Sequence, residues 1–361
     1  MTKLLDIIAG ARPNFMKISP IIHALESSGF KYKYRLIHTG QHYDKKMSDT
    51  FFDQLRIPKP SINLKVGSGS HTEQTAKIMI GYEKLLIEKK PDICLVVGDV
   101  NSTMACALVA KKMLVKVAHV EAGIRSGDND MPEEINRIVT DSISDYFFTT
   151  SENASNNLLK SGVKSKQIFF VGNTMIDTLL TNMKDFKQPF FWKDYKLNKK
   201  NYFVLTMHRP KNVDNYFELE NTLNVIGKAA MGAPVIFPVH PRTKLILKEI
   251  KNIPSNILLI DPQPYHEFGY LIKNSKGTLT DSGGITEETT IMKIPCITLR
   301  ENTERPETVE IGTNILIGLD PKKINESFKL IFSGKWKKGA IPKKWDGKTG
   351  KRIIKILDKI I

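Results

Sequence analysis

Cysteine is scarce: Cys94, Cys106 and Cys296 are the only three in 361 residues. They are scattered, so they offer neither a disulfide framework nor a metal-ligand spacing, and a reducing compartment, the cytoplasm, is expected. Long apolar runs are missing too. No stretch approaches the roughly 18 apolar residues that a membrane span needs. The short run in Met1–Gly10 is broken by Asp6, lacks a signal-peptide cleavage pattern and reads as a buried first strand. Internal repeats and low-complexity tracts are absent. There is no G-x-G-x-x-G and no G-x-x-x-x-G-K-[ST], so a dinucleotide fingerprint and a P-loop are both excluded. No metal and no redox cofactor is expected.

Arginine is also sparse. The formal charge is +16 from 54 Lys plus Arg and 38 Asp plus Glu, yet only ten of the cations are Arg. Residues 335–361 alone hold nine Lys and Arg352 against Asp346 and Asp358. Half the excess charge thus sits in one terminal stretch. No aromatic–basic motif accompanies it, which argues for a solvated face and against nucleic-acid binding.

What is present is alternation. With 41 % hydrophobic and 25 % charged residues the composition is that of a globular chain. Short Val/Ile/Leu runs are expected as strands at 4–9, 35–38, 93–97, 115–119, 146–149 and 168–171. A second series follows at 203–206, 235–239, 257–260, 278–280 and 296–299. Such runs are apolar on successive residues and suit parallel strands buried on both faces. Helical patterns, for example Ser102–Met113 and Glu133–Ser144, lie between them, so the class is α/β with parallel sheets. The polar, Lys-rich stretch at 181–202 separates the two series. Two Rossmann-like domains facing a cleft are expected, 1–178 and 179–349. In open α/β sheets ligands sit beyond the carboxyl ends of the strands, so the residues after each strand carry the functional reading.

The first run leads into Gly10-Ala-Arg12-Pro13-Asn14, a β–α turn with a cation beside a helix start, equally suited to plain turning or to an anion. The third leads to Gly98-Asp99, where the acid either caps the next helix or faces a ligand. The fourth leads to Glu121-Ala-Gly-Ile-Arg125, and a helix start follows at Pro132-Glu133-Glu134. Acids in a first turn are favoured by the helix dipole alone. Three acids arriving from separate elements are a stronger sign, because crowded carboxylates acquire separated pKa values and can divide acid and base roles. In the second half, His208-Arg209 and His240-Pro-Arg242 follow strands. Thr280-Asp281-Ser282-Gly283-Gly284 joins strand to helix, placing backbone N–H groups where a phosphate would sit, with Glu288 placed to bond a ribose diol. Arg12, Arg125, Arg137, Arg209, Arg242, Arg300 and Arg305 all fall in strand-end segments, which fits an anionic, diphosphate-bearing ligand. The residues by themselves reach no further than that.

The motifs Gly10-Ala-Arg-Pro13, His38-Thr-Gly-Gln41-His42, Gly98-Asp99, His119-Val-Glu-Ala-Gly123, Pro132-Glu-Glu-Ile-Asn-Arg137, His208-Arg209, Asp281-Ser-Gly-Gly284 and Thr303-Glu-Arg-Pro-Glu307 occur in this order from end to end. In this the chain resembles the non-hydrolysing UDP-N-acetylglucosamine 2-epimerases. The resemblance implies a glycosyltransferase B type fold, a homodimer, and a final helix (350–361) that crosses back to the first domain. It implies interconversion of UDP-GlcNAc and UDP-ManNAc through 2-acetamidoglucal, with no NAD and no metal. It marks Asp99, Glu121, Glu133 and His208 as catalytic. Arg12, Lys17, Phe268, Ser282, Gly283, Gly284, Glu288 and Arg305 become substrate contacts. Gln41 and His240 resemble parts of an activating second site. Pro210 and Lys211 depart from the His-Arg-Arg-Glu-Asn of many members. A 2-epimerase of a modified sugar such as UDP-2,3-diacetamido-2,3-dideoxy-glucuronate is the competing reading, and a UDP-sugar glycosyltransferase a more distant one.

Overall fold

The structure is a computed structural model that describes residues 3–27, 29, 33–40 and 52–360, with the side chains of Arg12 and Arg242 outside that description. It divides into two compact units. One comprises Met1–Thr181 with Lys343–Ile361, the other Asn182–Pro342.

The first unit is built on a parallel sheet of β1 (Leu4–Ala9), β2 (Lys33–His38), β3 (Ile62–Asn63), β4 (Ile93–Val97), β5 (Lys116–Val120), β6 (Tyr146–Thr149) and β7 (Ile168–Phe170). Their order is β3-β2-β1-β4-β5-β6-β7, and every described pairing is parallel. Helices cover both faces, so β1 and β4 are buried along their whole length. Each Val, Leu or Ile buried there contributes about 1.5–3 kcal/mol. Asp6, the acid that interrupts β1, lies opposite Arg35 in the β1–β2 register. Two Arg35 nitrogens donate to it at 2.7 Å each and the Tyr82 hydroxyl donates at 3.0 Å, which is how a carboxylate is tolerated inside the sheet.

The second unit repeats the plan with β8 (Phe203–Thr206), β9 (Val235–Pro238), β10 (Ile257–Ile260), β11 (Gly277–Thr280), β12 (Cys296–Thr298) and β13 (Asn314–Leu316). The order is β10-β9-β8-β11-β12-β13, again parallel. In each sheet the chain reverses its direction of winding at one place, between β1 and β4 and between β8 and β11. Ligands of doubly wound sheets sit at those switch points.

The expected strands are all found, within two residues at their ends. Two more are present, β3 and β13, with two and three residues each. Runs that short leave no periodic signal. The return of the chain also differs from expectation. Residues 343–349, expected in the second domain, belong to the first. Trp345 is buried there and its Nε1 donates to the Thr150 carbonyl at 3.2 Å, while Lys344 Nζ donates to the Phe170 carbonyl at 2.6 Å. The final helix, Thr349–Ile360, then packs on the first helix, Arg12–Ser27. At their crossing a Cβ on Gly350 would lie 2.3 Å from the Pro20 carbonyl oxygen, so only glycine fits.

Candidate active site

At the first switch point the turn after β1 meets the turn after β4. Asn14 accepts from the Gly10 and Ala11 amides at 3.1 and 2.9 Å and donates to the Val97 carbonyl at 3.0 Å. That carboxamide ties the two strand ends together. Lys17, one helical turn on, reaches the same place and its Nζ forms an ion pair with Glu121. Both side chains are at least nine-tenths buried. The close approach depends on Gly98. Its φ of +71° suits glycine, and a Cβ there would lie 2.7 Å from Lys17 Nζ and 3.3 Å from Glu121 Oε2.

Glu121 follows β5 with a φ of +69°, a left-handed conformation that costs a residue with a side chain about 1 kcal/mol or more. Its amide donates to the Phe148 carbonyl at 3.0 Å. Asp99 does not cap the helix Asn101–Lys112; the N-cap is Val100, which makes no side-chain cap bond. Instead Asp99 Oδ2 accepts from Arg137 Nε at 3.0 Å and from a terminal Arg137 nitrogen at 2.6 Å. Arg137 also donates to Glu134 Oε2 at 2.7 Å, and Glu134 accepts from the Ser126 amide at 3.0 Å. Asn136 donates to the Asp99 carbonyl at 2.9 Å. The helix Pro132–Ile143 therefore fixes Asp99 through two of its residues. Glu133 stands half-buried in the first turn of that helix, with no ion pair among the described residues. Glu134 is bonded by backbone and Arg137; Glu133 is the acid of the pair left to face outward.

At the second switch point Asp281 directly follows β11 and is fully buried. Its Oδ1 lies 2.8 Å from His208 Nδ1. Its Oδ2 accepts from the His208 and Arg209 amides at 2.9 Å each and from Asn212 at 3.2 Å. Burial alone would raise the Asp281 pKa; the His208 ring and the two amides outweigh it and hold the carboxyl below its ordinary value. With Nδ1 held, Nε2 of His208 is the ring nitrogen left for chemistry, and the side chain is 41 % exposed. The His240 ring centroid lies 5.8 Å from that of His208.

The helix Gly283–Met292 starts beside this pair, and its N-cap Ser282 makes no side-chain cap bond. Its first amides have no intrahelical partner and point out of the N-terminus, the arrangement that receives phosphate. Two turns in, Glu288 is buried, and burial with Glu287 beside it pushes its pKa up to about 8. Tyr265 donates to it at 3.4 Å. Phe268 is half-buried in the helix Tyr265–Asn274.

The arginines behave differently from the expectation built on their count. Arg125 pairs with Asp141 at 2.6 Å, Arg137 with Asp99 and Glu134, Arg300 with Glu304 at 2.7 Å, and Arg305 Nε with Glu287 at 2.5 Å. Arg209 donates to the Asp281 carbonyl at 3.0 Å. Carboxylates of the same domain account for the first four, and the Asp281 carbonyl with the Glu304 carboxylate at 3.5 Å for Arg209. Arg305 is buried in that pairing. The Arg12 and Arg242 side chains, and Gln41 with His42, lie outside the described residues. Pro210 opens the short helix Pro210–Val213, and Lys211 makes an exposed ion pair with Glu301 at 3.0 Å. Sequence reasoning placed His119 in a motif without giving it a role and did not single out Asp141. Asp141 Oδ1 accepts from His119 Nδ1 at 2.7 Å, and the one available signal was an acid in the last turn of an otherwise ordinary amphipathic helix.

No helix among the described residues is long and apolar enough to cross a membrane. Among them no group of three or more His, Cys, Asp or Glu side chains could hold a metal ion.

The family model described as UDP-N-acetylglucosamine 2-epimerase matches residues 23–358. A curated UDP-N-acetylglucosamine 2-epimerase of Methanocaldococcus jannaschii is 46 % identical, over 98 % of both chains. The crystal structure of the UDP-GlcNAc 2-epimerase of that organism, in complex with UDP-GlcNAc and UDP, superposes with a TM-score of 0.88 at 45 % identity over 99 % of both chains. A UDP-2,3-diacetamido-2,3-dideoxy-D-glucuronate 2-epimerase of Pseudomonas aeruginosa is 38 % identical over 90 % of this chain and 91 % of its own. The glycosyltransferase SnogD of Streptomyces nogalater, at 11 % identity and a TM-score of 0.54 over 99 % of this chain and 100 % of its own, shares the fold alone. The architecture is accordingly that of two Rossmann-like α/β domains of the glycosyltransferase B type. With residues 23–358 of its 361 inside the family model and a relative at 46 % identity, the chain belongs to the UDP-N-acetylglucosamine 2-epimerase family.

Proposed function

We propose that this chain interconverts UDP-GlcNAc and UDP-ManNAc by elimination and re-addition of UDP. The observation that carries the reading is the buried Glu121, held in a left-handed turn against Lys17, one strand away from Asp99. A base removes the C2 proton and the C1–O bond to UDP breaks on the opposite face. A C1=C2 double bond forms, leaving 2-acetamidoglucal. Protonation of C2 from the other face and return of UDP to C1 complete the inversion. Two proton transfers on opposite faces require two groups, and Asp99, Glu121 and Glu133 are the acids available. The reaction balances without a cofactor or a metal.

The second domain supports the leaving group. The amides of Gly283 and Gly284 with Ser282 receive the diphosphate, where a helix N-terminus stabilises charge that develops as C1–O breaks. Glu288 bonds the ribose diol, and Phe268 lies along the uracil. His208, oriented by Asp281, serves the diphosphate or its proton. Arg12, Lys17 and Arg305 add cations, and Gln41 with His240 belongs to an activating second site. The enzyme acts in the cytoplasm as a homodimer, in keeping with three thiols that are buried and unpaired.

A second reading, a substrate carrying a C6 carboxylate and a 3-acetamido group, is favoured by the 38 % identity to the Pseudomonas aeruginosa enzyme. A panel of UDP-GlcNAc and the 2,3-diacetamido uronate analogue separates the two by product analysis. UDP-ManNAc formation is expected; turnover of the uronate alone would transfer the assignment to the modified sugar.

A further inference from the structure

One buried carboxylate, Asp141, is used by nothing in the reaction as written, yet it bonds the Glu121 turn directly and the Asp99 turn through His119. Asp141 is 4 % exposed and sits in the third turn of the helix Pro132–Ile143. Its Oδ1 accepts from His119 Nδ1 at 2.7 Å. The other ring nitrogen, His119 Nε2, donates to the Gly98 carbonyl at 2.9 Å. Its Oδ2 accepts from the Gly123 amide at 3.1 Å and from Arg125 at 2.6 Å. The His119 ring thus bridges the Asp141 carboxylate and the Gly98 carbonyl through its two nitrogens. His119 is completely buried, which leaves those two bonds as its whole polar environment.

We propose that Asp141, acting through His119 on one side and Gly123 on the other, is the positioning group that fixes the Asp99 and Glu121 turns relative to each other. The inference rests on the catalytic reading of those two acids. Three left-handed residues, Gly98, Glu121 and Gly123, bracket the site. Glu121 is the strained one, and a strained conformation persists only where its surroundings over-determine it. Backbone bonds from Glu121 and Ala122 to the Phe148 carbonyl hold its strand side. On the helix side, Asp141 supplies the anchor two residues later. The Gly98 carbonyl held by His119 belongs to the residue whose missing Cβ admits Lys17 and Glu121. One oxygen of Asp141 thus holds the Gly98 turn through His119 and the other holds the turn that carries Glu121. Asp141 touches no reacting atom; it acts through other residues. Burial raises the Asp141 pKa, but His119 and Arg125 more than compensate, so it stays ionised.

The test compares wild type with Asp141→Asn and Arg125→Gln. The asparagine keeps the shape but turns one acceptor into a donor, facing either His119 or the Gly123 amide. A misplacement of reacting groups by about 1 Å costs on the order of 100-fold. For Asp141→Asn a kcat loss of about 30–100-fold is expected with KM for UDP-GlcNAc within about threefold, alongside faster amide hydrogen exchange over 97–101 and 119–125. Arg125→Gln removes one of three bonds to Asp141 and is expected to lower kcat about fivefold at constant KM. A folded Asp141→Asn enzyme with wild-type kcat, or one whose loss lies in KM, overturns the inference. Should Asp141→Asn not fold, wild-type kcat in Arg125→Gln overturns it. Wild-type enzyme that fails to turn over UDP-GlcNAc sinks the substrate reading instead. The amide exchange of the two segments then decides alone, with unchanged protection in Asp141→Asn counting against the positioning role.

Discussion

At the strand ends of the first domain every candidate acid but Glu133 is gripped by a cation: Glu121 by Lys17, Asp99 and Glu134 by Arg137, Asp141 by Arg125. At the matching strand ends of the second domain the features are a histidine on a buried aspartate and a Gly-Gly helix start. The sheets have the same winding, so topology does not create this difference. The side chains after corresponding strands do. After β4 comes Gly98-Asp99; after β11, its counterpart, comes Asp281-Ser282-Gly283-Gly284. On the proposed reading, one fold hosts proton transfer in one copy and anion binding in the other, as site and fold are separable.

That division is open to direct attack. The largest effect is expected from Glu121→Gln, which removes a proton-transfer group while leaving the second domain untouched. A kcat loss of about 10³-fold with UDP affinity within about threefold is expected, measured by steady-state kinetics and calorimetry. Loss of UDP binding instead would break the division. Next comes Gly98→Ala. Its Cβ would meet Lys17 Nζ at 2.7 Å in a backbone with φ of +71°, so a 10–100-fold loss of activity, about 1 kcal/mol or more of stability and unchanged UDP affinity are expected.

A smaller effect sharpens the account of the second domain. Glu288 is held neutral in the folded protein up to about pH 8. A ribose diol donates to the ionised form, so UDP affinity should rise with pH between about 6 and 8 and level off above, by roughly tenfold. The same raised value means that the folded state holds a proton the unfolded chain loses above about 4.5, so stability falls as pH rises through that window. Glu288→Gln should flatten both profiles; titration by calorimetry and melting at several pH values read them. The smallest effect is expected in the basic tail. Lys351 and Lys355 are exposed on the final helix, and their replacement by Ala should leave activity within about twofold and stability within about 0.5 kcal/mol.

The parallel strands were legible because double burial makes them continuously apolar, as in β4, Ile-Cys-Leu-Val-Val. Asp99, Glu121 and Glu133 were legible as acids at strand ends and helix start. The partners were not. Asp141 and His119 are 22 positions apart, and Lys17 meets Glu121 across more than a hundred residues. Such pairings are set by sheet order, which single-sequence patterns leave open. The arginine count misled in an instructive way. It located the strand ends correctly, but buried carboxylates there need cations of their own, and these absorb most of the arginines.

The central claim is that the first domain's acids exchange the proton on C2 of a UDP-sugar. Incubating UDP-GlcNAc with the enzyme in D₂O and following C2 by NMR tests it most directly. Deuterium at C2 of both UDP-GlcNAc and newly formed UDP-ManNAc is the predicted result. Absence of deuterium at C2 together with absence of UDP-ManNAc would contradict it.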